Sequence, residues 1–156
     1  MAKKLTFEST FDEIGWSLRH TLDEIKLKGE TKELKYEMLL KYGRLRFMEG
    51  CFSDAYQIFR QCSIHSIDNG VNDINELYYW TSRCLEKLGD KKRALAGYLM
   101  LLENKDNLKD EALVNAVLDR LILCDDIASL ADEYKQKRSE EKDLLGKILK
   151  FLRENS

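Results

Sequence analysis

Side chains able to do chemistry are sparse in this sequence. Its two histidines, His20 and His65, lie on separate segments, and neither has a cysteine or a carboxylate arrangement nearby that would make a metal site or a catalytic pair. They read as surface or rim histidines. Four cysteines, Cys51, Cys62, Cys84 and Cys124, fall at irregular intervals with no CxxC, so neither a zinc framework nor a redox motif is indicated and reduced core thiols are expected. There is no phosphate-cradling glycine loop, no GxSxG and no HExxH. The acid pairs Asp12-Glu13, Asp125-Asp126 and Glu140-Glu141 are adjacent, so on a helix their members diverge by about 100 degrees and form no acid/base couple on one face. They suit helix starts, where negative charge complements the macrodipole. The reading is a protein that is not an enzyme and holds neither cofactor nor metal.

Basic clusters at Lys91-Lys92-Arg93 and Lys135 to Arg138 are flanked by acids, which favours solvated faces over phosphate contacts. The totals agree: 26 Lys and Arg against 28 Asp and Glu leave a net charge of -2, and no nucleic-acid partner is expected. The start, MAKKLTFEST, turns polar after two lysines and has no apolar core of a signal segment. No run approaches ~18 apolar residues, so a cytoplasmic protein without a membrane span is expected.

These side chains would be positioned by helices. The 156 residues contain no proline, which leaves long segments uninterrupted, and 35% of them are charged, which suits helices with solvated outer faces. Phe7, Phe11, Ile14, Leu18, Leu22 and Ile25 recur every three or four residues in an N-terminal helical segment, 5–29, whose helix starts at Thr10 with Glu13 as its capping-box partner and stops at Gly29. A second helix runs from about Thr31 to Glu49 on Leu34, Met38, Leu39, Tyr42, Leu45 and Met48. A third runs from Phe52 to the turn Asp68-Asn69-Gly70. Asp73 and Glu76 signal another capping box, and further helices follow from Asp90, from Asn107 or Asp110, and through Ile127 to Tyr134. Leu144, Leu145, Ile148, Phe151 and Leu152 make a final amphipathic helix. Seven or eight helices joined by short turns result, in a single domain.

The helices share an internal register. Gly50, Ala55 and Phe59 are matched at identical offsets by Gly89, Ala94 and Tyr98, and more loosely by Asp125, Leu130 and Tyr134. Upstream of each turn stand Gly43, Ser82 and Leu118. The pattern describes a hairpin: a small contact point on the first helix, a turn tolerant of left-handed geometry, then a small residue and an aromatic packing back. In GCFSDAYQIF and GDKKRALAGY it resembles the tetratricopeptide repeat. The resemblance spans about residues 36–135, with departures: spacings of 39 and 36 exceed the family's 34, the closing proline is missing, and Arg46 stands where a tyrosine is usual. It implies an all-α stack of antiparallel helical hairpins, with repeats at 31–69, 73–106 and, degenerate, 108–137, flanked by the N-terminal helix and a capping helix at 139–154.

In the family the first helices of successive units line a concave groove that holds a partner peptide. The resemblance therefore implies a partner-binding set of Leu40, Arg44 and Phe47, then Tyr79, Arg83 and Glu86, then Asn115 and Asp119. Two arginines among aromatics suit an acidic or C-terminal peptide, although the family's own lysine and asparagine clamp for a carboxylate is not reproduced. Tyr78, Tyr79 and Trp80 cannot all face inward, and Tyr79 or Trp80 is expected at the surface; Trp16, off the apolar side of its helix, is a further contact candidate. The leading expectation is an adaptor or scaffold subunit that binds another protein. The alternatives are a structural subunit that forms a homo-oligomer through its terminal amphipathic helices, and a helical protein that binds a small ligand or RNA.

Overall fold

Threonine and aspartate set where four of the helices begin. The computed structural model describes residues 5–71, 74–124, 126–137 and 142–156. Helix α1 (Phe11–Lys28) opens at Thr10, whose Oγ1 accepts from the Glu13 amide at 3.2 Å while the Glu13 carboxylate accepts from the Thr10 amide at 3.0 Å. Thr31 caps α2 (Lys32–Met48), Asp90 caps α5 (Lys91–Glu103) and Asp110 caps α6 (Glu111–Ile122). The remaining helices are α3 (Phe52–Asn69), α4 (Asn75–Lys87), α7 (Ala128–Lys137) and α8 (Lys142–Asn155), with a 3-10 turn at Asn107–Lys109. Among the described residues all regular structure is helical, as the sequence implies. None of the described helices is long and apolar enough to cross a membrane. Asp73, Asp125, Arg138, Glu140 and Glu141, which figure in the sequence reading, lie outside the described residues.

The contacts divide the chain into two units, Met1–Gly89 and Asp90–Ser156. The division falls between α4 and α5, the two helices that the sequence assigns to one repeat.

In the first unit each helix packs on its neighbour in sequence, and α2 also touches α4. The α2–α3 hairpin turns at Gly50, whose φ of +81° is the left-handed geometry that the register asks for. Gly43 then meets the ring of Phe59 so closely that a Cβ would lie 2.4 Å from its nearest atom, and Ala55 and Phe59 are fully buried. Arg46, in the place of the usual tyrosine, ties the same turn by donating to Asp54 at 2.8 Å.

Two apolar stripes read from the sequence are corrected. Helix α1 buries Ile14, Ser17 and Thr21, while Phe11 and Leu22 are nearly half exposed. Small side chains let α1 lie against α2, and Lys41 reaches across to donate to Thr21 Oγ1 at 2.7 Å. Helix α2 buries Tyr36, Leu40, Gly43, Arg44 and Phe47, and leaves Tyr42 and Met48 exposed, because it has neighbours on three sides. The segment 5–29 is also not helical throughout: Thr6 to Ser9 form a tight turn before the Thr10 cap.

In the second unit α6 packs on α7, α7 on α8, and α8 on α5. Leu144, Ile148 and Leu152, one stripe at spacings of four, are buried. The final helix therefore lies against both α5 and α7, where a cap at the end of a stack would meet only the last hairpin. Arg153 adds an ion pair to Glu103 at 3.1 Å. Asn107 is buried and donates to the Leu101 carbonyl at 3.1 Å, closing the end of α5. Ala94 and Tyr98 are buried as the register requires; in the third copy the fully buried small residue is Ala131, one position past Leu130.

Candidate functional site

Leu40, Arg44 and Phe47 recur at spacings of four and three on α2, and Tyr79 and Arg83 are four apart on α4, so each set shares a helix face. The structure turns these faces of the first unit toward one another around Trp80. The Arg44 guanidinium carbon lies 4.7 Å above the Trp80 ring, and that of Arg83 lies 5.0 Å above Phe47 and 5.6 Å above Trp80. Phe47 meets Trp80 edge to face at 5.5 Å, and Tyr79 meets Trp80 at 5.1 Å. Such ring and cation contacts are each worth about 0.5–1.5 kcal/mol beyond the area they bury.

The face is covered, which corrects the expectation of an accessible set. Arg44 is 1% exposed, and Leu40, Phe47, Tyr79 and Trp80 are buried as well; Tyr78 is the partly exposed member of its trio. The cover is the chain's own turn. Phe7 packs edge to face on Tyr79 at 4.7 Å and tilts over Trp80 at 6.5 Å, and Arg44 Nη2 donates to the Thr6 carbonyl at 2.7 Å. The turn is fixed internally: the Ser9 amide donates to that same carbonyl at 3.2 Å, and the Thr6 amide donates to Ser9 Oγ at 2.8 Å. Arg83 and Glu86 are half-buried on the same helix.

Electrostatics at the site is internal. Arg44 Nη1 donates to Glu76 Oε1 at 2.8 Å, and the guanidinium is held below its ordinary pKa by burial, with Glu76 opposing the shift. Among the described residues three buried donors here have no acceptor: Arg44 Nε, Arg83 Nε and Trp80 Nε1. Beside the turn opens a cavity of about 390 Å³, lined by Leu5, Leu40, Lys41, Arg44 and Glu76 among others.

Asn115 and Asp119 belong to the second unit, where Asn115 is half-buried and Asp119 is exposed and pairs with Lys135 on α7. Trp80 and the turn of Thr6 and Phe7 are the members that the sequence reading left out of the set. The signal for Phe7 was present, because a residue upstream of a capping box cannot continue the helix stripe.

Other chemistry-bearing residues take structural places. His65 Nε2 donates to the Lys32 carbonyl at 2.8 Å, and His20 stacks on Trp16 and pairs with Glu24 at 3.3 Å. All four cysteines are free; Cys62 and Cys84 are buried, whereas Cys51 and Cys124 are half-buried instead of core. Among the described residues no three His, Cys, Asp or Glu gather as metal ligands. Compared with known proteins, the chain matches no protein-family model, no curated protein and no solved structure.

Proposed function

We propose that the chain is a degenerate relative of the tetratricopeptide repeats and works as a protein-binding module, an adaptor or scaffold subunit whose partner docks on the α2–α4 face. The observation that carries this reading is that the face already accommodates a non-helical piece of polypeptide, with a carbonyl on Arg44 and an aromatic ring on Tyr79 and Trp80. Aromatic and arginine side chains in a desolvated patch are the residue types that dominate binding energy at protein interfaces. Because Arg44 already has Glu76 as its carboxylate, the partner that fits best is led by an aromatic anchor and not by acidic charge.

Self-association is the second reading. It rests on α1, where Trp16 is 52% and Leu27 83% exposed, since the apolar stripe of α8 is buried within the second unit. A photo-crosslinking residue placed at Glu86 in cells tests the first reading, and one at Trp16 tests the second. The docking reading predicts adducts with another protein at position 86. Adducts only between copies, from position 16, would replace it with self-association.

A further inference from the structure

We propose that the turn Thr6 to Ser9 is a stand-in for the partner, held in cis, and that the partner is a protein segment presenting an aromatic residue on a tight turn flanked by hydrogen-bond acceptor oxygens. The inference rests on the docking reading above and names both the ligand chemistry and the reason the face is covered.

The turn shows what the face recognises. Its first carbonyl takes Arg44 Nη2, and the next residue, Phe7, fills the angle between Tyr79 and Trp80. The turn brings its own hydrogen bonds, so little ordering remains when it seats. It is also an incomplete ligand. Phe7 is only partly buried, and Arg44 Nε, Arg83 Nε and Trp80 Nε1 are left without acceptors around the ring cluster. A segment with the same aromatic anchor and oxygens placed on those donors would hold the face better than the chain's own turn does. The cavity beside Leu5 leaves room for such a segment to continue.

Tethering directly to α1 gives the turn an effective concentration of order millimolar, so it competes with a partner without needing strong contacts. If it is docked nine-tenths of the time, the apparent affinity for a partner falls about tenfold.

The test uses the full chain and a backbone-cyclised peptide that displays Thr-Phe-Glu-Ser as a turn. Its binding to the native chain and to Phe7→Ala is measured by calorimetry, with circular dichroism confirming that the variant is folded. The expected result is at least tenfold tighter binding to Phe7→Ala, lost when the phenylalanine of the peptide is replaced by alanine. Equal binding to the two chains, or binding to neither, overturns the proposal. Should Phe7→Ala not fold, 4-fluorophenylalanine at position 7 of the otherwise native chain gives a fluorine resonance for the docked ring. Saturating peptide should move it to a solvent-exposed shift, and an unmoved resonance overturns the proposal. Sedimentation of the native chain as a dimer that the peptide dissociates would also overturn it, by making a second copy the occupant. Crosslinking at Glu86 separates the two claims: a captured partner with no peptide binding sinks the stand-in alone, and peptide binding with no captured partner sinks the docking function alone.

Discussion

Gly43→Ala is the sharpest test of the hairpin register. A Cβ built at position 43 would lie 2.4, 2.7 and 2.9 Å from three atoms of the Phe59 ring, against an ordinary carbon contact of about 3.5–4.0 Å. The ring must therefore retreat by roughly 1 Å, and because Phe59 is fully buried its neighbours must move with it. Overpacking of this kind costs about 1–3 kcal/mol, and alanine returns about 1 kcal/mol through its helix propensity, for a net loss of up to about 2 kcal/mol. Gly15→Ala and Gly146→Ala are the controls, since a Cβ at either meets nothing within 4 Å. Each should gain up to about 1 kcal/mol. Urea unfolding followed by helical circular dichroism reads all three. If Gly43→Ala gains stability as the two controls do, no overpacking occurs at position 43 and Gly43 is not the contact point of the hairpin.

Ala55→Leu and Ala94→Leu should each cost about 1–3 kcal/mol by overpacking fully buried positions, and unchanged melting of both would undo the same alignment. Glu76→Gln strips the buried Arg44 of its carboxylate and should destabilise by about 1–3 kcal/mol; equal urea midpoints would mean that the pair contributes nothing. Burial pushes the Cys62 and Cys84 thiols up to about 12 from an ordinary value of 9.0. The unfolded chain then loses protons that the folded chain keeps, so stability is full below pH 9 and falls as pH rises from 9 toward 12. Removing both thiols as alanine should flatten that slope in urea titrations, and an unaltered slope would assign it elsewhere. With all four cysteines free, millimolar reductant should leave the helical signal unchanged, and a loss would reveal a disulfide.

Helix boundaries were legible because local chemistry fixes them. Thr10 with Glu13 forms its expected capping box, Thr31 and Asp90 cap helices at the expected starts, and Asp110 caps the helix that either Asn107 or Asp110 could open. Gly29, Gly50, Gly70 and Gly89 follow helix ends with positive φ. Helix α4, where a capping box is expected, starts instead after Ile74 with no side-chain cap. Buried faces were less legible, since periodicity assumes that a helix has one neighbour and that its core is apolar. Helix α1 buries serine and threonine to come close, and α2 buries a glycine and an arginine among three neighbours. At the site, position on the hairpin brought Arg44, Phe47, Tyr79 and Arg83 together, whereas their covering could not be read from it. That depends on a turn at Thr6 and Phe7, more than thirty residues from Arg44, and no local pattern reports a contact of that range.

The place of α8 bears on how the chain comes off the ribosome. In Met1–Gly89 each helix after the first packs on the one immediately upstream, so pairing can follow synthesis with short loops to close. In Asp90–Ser156 the surface of α5 waits for residues 142–155, a closure about fifty positions long at the Arg153 to Glu103 ion pair. Until then α5 has made Leu101, Leu102 and Tyr98 without the helix that packs on it, and the growing chain holds exposed apolar surface for the time it takes to add α6 and α7. A stop codon ahead of Lys142 would make that interval permanent, which turns α8 from a terminal ornament into the step that commits the second unit to its fold.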